Sequence, residues 1–294
     1  MRWNGQLGYI QRMPLRFVRS LVLVVLTALA AAVHAGAPEP LTVMSFNIRY
    51  GTANDGPDRW ELRRDQLFAL MKNQGADVIG LQEALHFQID EILAALPEYR
   101  MVGVGRSDGG QGGEYAAILY RASRLAVRLT STFWFSDTPE IVKSNTWGAA
   151  LERICTWALF DDTQGTPFYL YNLHLDHISQ PAREKSGSLL LNRIAARSPA
   201  LPVIVTGDFN TGEGNPVTQA VAKVLRDTFR VVHPTAAEVG TANQFKLGTT
   251  TGEKIDYIFV EPGTEVMSAD IVRTSVGGRY PSDHFPVVSR IRLR

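Results

Sequence analysis

The chain has 294 residues, of which 45% are hydrophobic and 20% are charged. This is ordinary globular composition, and one large α/β domain can use all of it. The single cysteine, Cys155, excludes an intramolecular disulfide. Its apolar neighbours indicate a small buried side chain and not a nucleophile.

The N-terminal segment, residues 1–35, differs in kind from the rest. Three arginines precede an uncharged run over residues 21–33, which ends near the small residue Ala35. A basic flank, a short apolar run and an A-x-A-like end are typical of a secretory signal peptide. The run of 13 residues is shorter than the roughly 20 needed to span a bilayer. We therefore expect a signal peptide, with an uncleaved anchor as the alternative and Met13 as an alternative start.

Export has consequences for location, charge and partners. We expect a periplasmic or secreted protein without stable membrane insertion, and a monomer. Removal of residues 1–35 leaves 26 basic against 29 acidic side chains, a net charge of −3. General nucleic-acid binding relies on basic surface that neutralises phosphates, so nucleic acid is a possible partner that this charge does not favour.

The remaining chain is predicted as a short linker, residues 36–40, and one domain, residues 41–294, without an evident internal repeat. Strands are predicted over Leu41–Ile48, Asp77–Gln82, Tyr115–Tyr120, Arg153–Phe160, Phe168–Leu175, Val203–Thr206, Ile255–Val260 and His284–Leu293. Helices are predicted over Glu61–Lys72, Phe87–Leu96, Ala182–Ala196 and Pro216–Leu225. This order predicts an α/β (α+β) fold, in which two sheets pack face to face with helices outside.

Polar side chains stand at the ends of six predicted strands. They occur in Phe46-Asn47-Ile48, Gln82-Glu83, Asn172-Leu173-His174, Gly207-Asp208-Phe209-Asn210, Ile255-Asp256-Tyr257 and Ser282-Asp283-His284. One such residue is usually a turn or cap. Six sites with carboxylates, amides and imidazoles are what metal-assisted hydrolysis of a phosphate ester needs. Hard oxygen ligands favour Mg²⁺, with Mn²⁺ or Ca²⁺ also possible.

This ordered series resembles the endonuclease/exonuclease/phosphatase superfamily, to which DNase I belongs, over residues 42–293. The resemblance implies a four-layered α/β sandwich with two mostly antiparallel sheets. It also implies a phosphoesterase that hydrolyses a phosphomono- or phosphodiester of unknown identity with activated water. A nuclease is the first alternative. A phospholipid or sphingomyelin phosphodiesterase and a non-catalytic binding module are the others.

The resemblance also assigns roles to individual residues. Glu83 is the expected principal metal ligand, assisted by Asn47 and Asp283. Abasic-site endonucleases of the family have an acid where this chain has Arg49, a difference that favours one catalytic ion over two.

The expected catalytic residues lie at the other motifs. Asp208 orients or deprotonates the water and Asn210 fixes its geometry. His284 faces the phosphate beside Asp256, and His174 is a second phosphate donor. The general base stays open between Asp208 and His284.

Further residues are weaker candidates. Glu114 and Arg153 resemble an acid and a phosphate-binding arginine of the DNase I branch. Two loops, with Asp58 and Trp60 in one and Asn145 and Trp147 in the other, are candidate substrate loops because of their placement after or before motif strands. Trp60 is alternatively a core residue. The histidines His86, His177 and His233 have no motif support and are interpreted as structural or solvent-facing.

Overall fold

The computed structural model describes residues 1–2 and 38–294. Nearly all of the predicted signal segment, residues 1–35, lies outside the described residues, so its prediction is not tested. Within the described part of the chain, no helix is both long and apolar enough to cross a membrane.

The strands and helices follow the hydrophobic pattern of the sequence. The twelve strands of residues 38–294 are β1 (Leu41–Asn47), β2 (Val78–Gln82), β3 (Tyr99–Val102), β4 (Ile118–Arg121), β5 (Leu125–Trp134), β6 (Ile154–Asp162), β7 (Phe168–His174), β8 (Val203–Asp208), β9 (Arg226–Asp227), β10 (Asp256–Val260), β11 (Glu265–Ile271) and β12 (Val287–Arg292). The same residues form five α-helices, α1 (Trp60–Gln74), α2 (His86–Ala95), α3 (Gln180–Ala195), α4 (Pro216–Ala222) and α5 (Thr228–Val232).

Two six-stranded sheets form the centre of the fold. The first has the order β11-β12-β1-β2-β4-β3 and the second the order β5-β6-β7-β8-β10-β9. Only the β1–β2 and β7–β8 pairs are parallel, and all other pairs are antiparallel. Each parallel pair is joined by a long helix, α1 or α3, as a parallel connection requires.

Three apolar clusters account for the layers. The cluster between the sheets joins side chains such as Val43 and Val78 of the first sheet to Phe168 and Ile204 of the second. A second cluster packs α1 and α2 on the outer face of the first sheet. A third packs α3 and α4 on the outer face of the second sheet. The predicted four-layered α/β sandwich is therefore confirmed.

The sheets approach one another closely beneath the ends of β1, β2, β7 and β8. A Cβ atom on Gly80 would lie 2.2 Å from Oγ1 of Thr206 and 2.5 Å from Oδ1 of Asn172, so only glycine fits. The Asn172 amide donates to the carbonyls of Leu81 and Ala117 and accepts from Gln82 and Thr206. This buried polar contact fixes the two sheets relative to each other.

Candidate active site

The two parallel strand pairs end at the same end of the sandwich. Asn47 lies opposite Gln82 at the ends of β1 and β2, and Glu83 follows directly. His174 lies opposite Asp208 at the ends of β7 and β8. Because β10 runs antiparallel to β8, its first residue, Asp256, pairs with Asp208. The sheet registers thus bring together residues that are far apart in the sequence.

A cavity of about 540 Å³ opens at these strand ends. Most of the predicted site residues line it, namely Glu83, Glu114, Arg153, His174, Asp208, Asn210, Asp283 and His284. Asn47 and Asp256 are fully buried and support this lining from below. Every predicted catalytic, metal-binding and phosphate-binding residue therefore either lines the cavity or contacts a residue that lines it.

Asn47 connects the two halves of the cavity floor. Its Nδ2 donates to Oε1 of Glu83 and to Oδ2 of Asp208, both at 3.0 Å. Its Oδ1 accepts from the backbone N–H of Arg49 at 3.0 Å, which fixes the orientation of the amide. The second oxygen of Glu83 accepts from the N–H of Tyr50 at 3.2 Å. Asn47 thus presents a nitrogen to the carboxylates and positions Glu83.

Four residues without glycine's freedom adopt a left-handed backbone at the cavity. Arg49, Glu83, Asn210 and Gln244 have φ values of 57°, 62°, 50° and 51°. Such conformations cost free energy and persist where surrounding contacts enforce them. At Glu83 and Asn210 the strand has just ended, and the turn directs the side chain into the cavity.

Asp208, Asn210 and His174 form one hydrogen-bonded group. Oδ1 of Asp208 accepts from the N–H of Asn210 at 2.8 Å, and Nδ2 of Asn210 lies 2.9 Å from Nε2 of His174. Burial and the charge of Asp256 raise the pKa of Asp208 to about 7. Burial and the cations Arg153 and Arg106 lower the pKa of His174 well below its ordinary value. His174 is therefore neutral, and its 3.6 Å approach to Asp208 is not an ion pair.

His284 and Asp256 form a buried pair. Nδ1 of His284 lies 2.9 Å from Oδ2 of Asp256, and the side chain of Asp256 is completely buried. Burial alone would lower the pKa of His284, but the charge and hydrogen bond of Asp256, with Asp208 and Asp283, raise it well above its ordinary value. His284 is therefore held as an imidazolium.

Two sets of side chains at the cavity carry atoms of the kind that bind metal ions. Asp208, Asp256 and His284 have ligand atoms within 4.8 Å of one another, but the His284–Asp256 hydrogen bond already uses two of their polar atoms. Glu83 and Asp283 both face the cavity. Their carboxylates are the oxygen donors that hard divalent cations prefer.

Several polar residues that line the cavity or contact its lining residues were not predicted from the sequence. Arg106 is buried and donates to Glu114 at 2.7 Å, and burial raises the pKa of that carboxyl group. Asp176 accepts from Nε of Arg153 at 3.4 Å, and Nη2 of Arg153 lies 2.7 Å from Nδ1 of His177. His177 is solvent-facing, as interpreted from the sequence, and it also lines the cavity, which the sequence analysis did not predict. Its position directly after the His174 strand was the available signal.

The proposed substrate loops do not line the cavity. Trp60, the first residue of α1, is 1% exposed, packs in the core and donates to Glu91. Its prediction as a substrate contact is therefore wrong, and the core alternative holds. Asp58 approaches Arg279 at 3.4 Å.

The second loop is also occupied by contacts within the chain. Asn145 donates to the carbonyl of Ala149. Trp147 donates to Asp137 and lies under the ammonium of Lys185. Neither side chain is among those that line the cavity.

The fold and the site together define a cavity rich in carboxylate, amide and imidazole groups at the end of a two-sheet sandwich. The model of the Endonuclease/Exonuclease/phosphatase family matches residues 44–284. The chain belongs to this family, and it is a hydrolase that acts on phosphate esters. The family generally uses divalent metals, and the buried acidic and histidine group described above is present.

Three relatives illustrate the similarity. A Bacteroides vulgatus endonuclease/exonuclease/phosphatase is 34% identical and has a TM-score of 0.80, over 87% of this chain and 99% of that chain. A Bacteroides thetaiotaomicron mannosyl-6-phosphatase is 35% identical and has a TM-score of 0.79, over 86% and 100%. An uncharacterised protein of Acanthamoeba polyphaga mimivirus is 29% identical over 201 residues, which are 65% of this chain and 71% of the relative.

Proposed function

We propose that the protein hydrolyses a phosphomonoester of a small sugar-like alcohol by attack of an activated water, without a covalent enzyme intermediate. The observation that carries this proposal is the convergence of Glu83, Asp208, Asn210 and His284 in one cavity. No serine or cysteine among the lining residues offers a nucleophile. The substrate class is supported by the mannosyl-6-phosphatase relative at 35% identity.

The arrangement of charge supports a small substrate over a nucleic acid. Of the two arginines that line the cavity, Arg49 is held by Asp55 and lies 3.8 Å from Asp283, and Arg153 is held by Asp176. A polynucleotide needs a track of free cations for its successive phosphates. The cavity offers enough positive charge for one phosphoryl group and not for such a track.

Glu83 and Asp283 are the proposed ligands of Mg²⁺, with Mn²⁺ or Ca²⁺ as alternatives. A bound divalent ion offsets the charge of the phosphoryl oxygens and the leaving oxygen. Glu83 is prepared for this role because Asn47 and the N–H of Tyr50 each hold one of its oxygens, in a strained turn that faces the cavity. Asn47 itself presents a nitrogen to Glu83, so we assign it to positioning and not to ligation.

Of the remaining groups, one activates the water and the others bind the phosphate. Asp208 accepts from Asn47 and Asn210, which orient its carboxylate for taking a proton from water, so we assign it as the general base. Asp256 holds the charge of His284, whose other nitrogen is left to donate to a phosphoryl oxygen. Nη1 of Arg153 is buried and has no hydrogen-bond partner in residues 38–294, which leaves it available to the same phosphate.

A substrate panel tests the proposal. Phosphate release from mannose 6-phosphate, an aryl phosphate and an aryl phosphodiester is measured with Mg²⁺, Mn²⁺, Ca²⁺ or a chelator, beside cleavage of single- and double-stranded DNA and of sphingomyelin. We expect metal-dependent release from the monoesters and little action on the polymer or the lipid. Rapid cleavage of DNA or sphingomyelin, or turnover that survives the chelator, would contradict the proposal.

We also propose that the protein is exported and cut near Ala35, on the basic flank and short apolar run of its first residues. N-terminal sequencing of the protein from the periplasm or medium is expected to begin within a few residues of this position. An intact N-terminus in the membrane fraction would indicate an anchor instead.

A further inference from the structure

Hydrogen bonds to Asp176 hold the loop after β7 in place. Oδ2 of Asp176 accepts from the N–H groups of Ile178 and Ser179 at 3.0 and 2.7 Å. Its Oδ1 accepts from the N–H of Ala150 at 3.0 Å, and its carbonyl accepts from Arg183. Asp176 is 1% exposed. This loop is therefore held rigidly against the segment that carries Leu151 and Arg153.

His177 is the residue of this loop that lines the cavity. Arg153 can only donate, so its 2.7 Å contact makes Nδ1 of His177 the acceptor. The proton of the neutral ring then resides on Nε2, which becomes a donor. The His177 side chain is 47% exposed, whereas the side chains of His174 and Arg153 on the cavity floor are 8% and 4% exposed. His177 thus offers a fixed, uncharged N–H at the mouth of the cavity.

The position at the mouth determines what His177 can contact. A phosphate that reaches Asp208 and His284 must lie on the floor, so its alcohol portion occupies the mouth. Leu151, which is 41% exposed, lines the same cavity next to the segment bound by Asp176. An uncharged donor beside an apolar side chain suits a sugar, whose hydroxyl oxygens accept hydrogen bonds and whose C–H face is apolar.

We propose that His177 is a specificity-determining residue, whose Nε2–H donates to a hydroxyl oxygen of a sugar leaving group. This proposal rests on the proposed phosphomonoesterase function and adds the residue that selects the alcohol. Arg153 and Asp176 act in it as positioning residues, because they fix the ring of His177 and its tautomer.

Two substitutions of His177 separate the role of its outer donor, Nε2, from that of its inner acceptor, Nδ1. In His177→Asn the amide oxygen can replace Nδ1 as the acceptor for Arg153, and the outer donor is lost. In His177→Gln the longer amide can replace the Nε2 donor, and the acceptor for Arg153 is lost. KM for mannose 6-phosphate reports on the alcohol, and inhibition by inorganic phosphate reports on the phosphate alone. His233→Asn, on a histidine whose Nε2 lies beside the carbonyl of Ala269 outside the cavity, is the matched control.

We expect His177→Asn to raise KM for mannose 6-phosphate about 2- to 10-fold, the range for one neutral hydrogen bond. Its inhibition by inorganic phosphate and its KM for an aryl phosphate should stay at the wild-type values. His177→Gln should weaken inhibition by inorganic phosphate and raise KM for mannose 6-phosphate and the aryl phosphate alike. The control should show none of these changes.

The outcomes also separate this inference from the proposed function. If the wild type releases phosphate from no monoester, the proposed function fails and the inference fails with it. The inference alone is overturned if the wild type hydrolyses the aryl phosphate but no sugar phosphate. It is also overturned if His177→Asn changes KM for mannose 6-phosphate and inhibition by inorganic phosphate equally, or changes neither.

Discussion

Replacing Asp256 by asparagine tests how the His284 pair works. The change removes a charge but little volume, and the amide oxygen can still accept from Nδ1 of His284 over the present 2.9 Å contact. His284 loses the carboxylate that holds its imidazolium, so we expect hydrolysis to slow by about 10²–10⁴-fold. This corresponds to about 2.7–5.4 kcal/mol in the activation barrier at 1.36 kcal/mol per decade. Substrate binding should change much less.

Folding should tolerate the same change. A hydrogen bond to a charged partner contributes about 1.5–3 kcal/mol, and part of this is lost. The loss is offset because Asp256 and Asp208 are buried like charges that lie opposite each other in the β8–β10 pair. The melting temperature, followed by circular dichroism, should therefore move by only a few degrees.

The double variant with His284→Ala decides whether the two residues act as a unit. If they do, Asp256→Asn adds little to the loss caused by His284→Ala, because the carboxylate acts through the ring. Steady-state kinetics on both single variants and the double variant give the comparison. Glu213→Gln, which breaks an ion pair with Arg230 away from the cavity, is the control. Rate losses that multiply in the double variant would refute the paired assignment.

Three further predictions concern metal binding and folding. Glu83→Gln should abolish metal-dependent turnover with an unchanged circular dichroism spectrum, and activity restored at high metal concentration would indicate weakened binding only. Gly80→Ala should lower the free energy of unfolding in urea by about 1–3 kcal/mol or more through overpacking between the sheets. Asp227→Ala should destabilise by about 3–5 kcal/mol, because it leaves the fully buried Lys254 without its 2.9 Å partner.

The Asp227 variant also has a predicted pH dependence. Burial lowers the pKa of Lys254 in the folded protein below its ordinary value of 10.5. Between the folded and unfolded pKa values the unfolded state binds more protons, so stability rises with pH. The variant should recover part of its stability as the pH rises above neutrality towards 10.5, and a loss over this range would contradict the assignment of a buried charged lysine.

Matched variants control the other two predictions. Glu91→Gln replaces an acid that pairs with Arg64 on the helices, far from the cavity lining, and should retain full turnover. Gly263→Ala adds a methyl group to a glycine with open space around it, and should leave the urea midpoint unchanged. A midpoint shift in Gly263→Ala as large as that in Gly80→Ala would mean that backbone freedom, and not crowding, explains the effect.

The strands that sequence reasoning found and missed differ in their place in the sheets. The eight predicted strands all have counterparts, β1, β2, β4, β6, β7, β8, β10 and β12, which are the inner strands. Inner strands are covered on both faces and appear as continuous apolar runs. The four missed strands, β3, β5, β9 and β11, are the four sheet edges. β5, for example, is exposed over much of its length, so polar side chains interrupt its pattern.

The candidate site was predictable to the extent that its residues stand at strand ends. Strand registers then place Asn47 beside Glu83 and His174 beside Asp208, and the face-to-face packing of the two sheets brings these two pairs together. Arg106 was not predictable in this way, because it contacts the cavity-lining Glu114 from a glycine-rich loop whose path depends on its own hydrogen bonds. The orientation of the Asn47 amide also depends on the N–H of Arg49, two residues later, in a left-handed turn that the sequence motif does not reveal.

The first half of the chain, β1 to β6, and the second half, β7 to β12, have the same strand topology. Each half contributes one hairpin to the sheet of the other half. The order β12-β1-β2-β4-β3 matches β6-β7-β8-β10-β9, with the parallel pair at the same place in both. The β5–β6 hairpin of the first half completes the second sheet, and the β11–β12 hairpin of the second half completes the first. The exchange delivers Arg153, just before β6, beside His174, and Asp283, just before β12, beside Asn47.

Neither half therefore holds a complete site. The proposed metal ligands Glu83 and Asp283 come from different halves, as do the proposed phosphate donors Arg153 and His174. The distance between the metal ligands on the first sheet and the phosphate donors on the second sheet is set by the contact between the sheets at Gly80 and Asn172, directly beneath the strand ends. Because a misplacement of about 1 Å can cost about 10²-fold in rate, Gly80→Ala should lower kcat even under conditions where the variant is fully folded. An unchanged kcat in folded Gly80→Ala would mean that the two halves adjust independently of this contact.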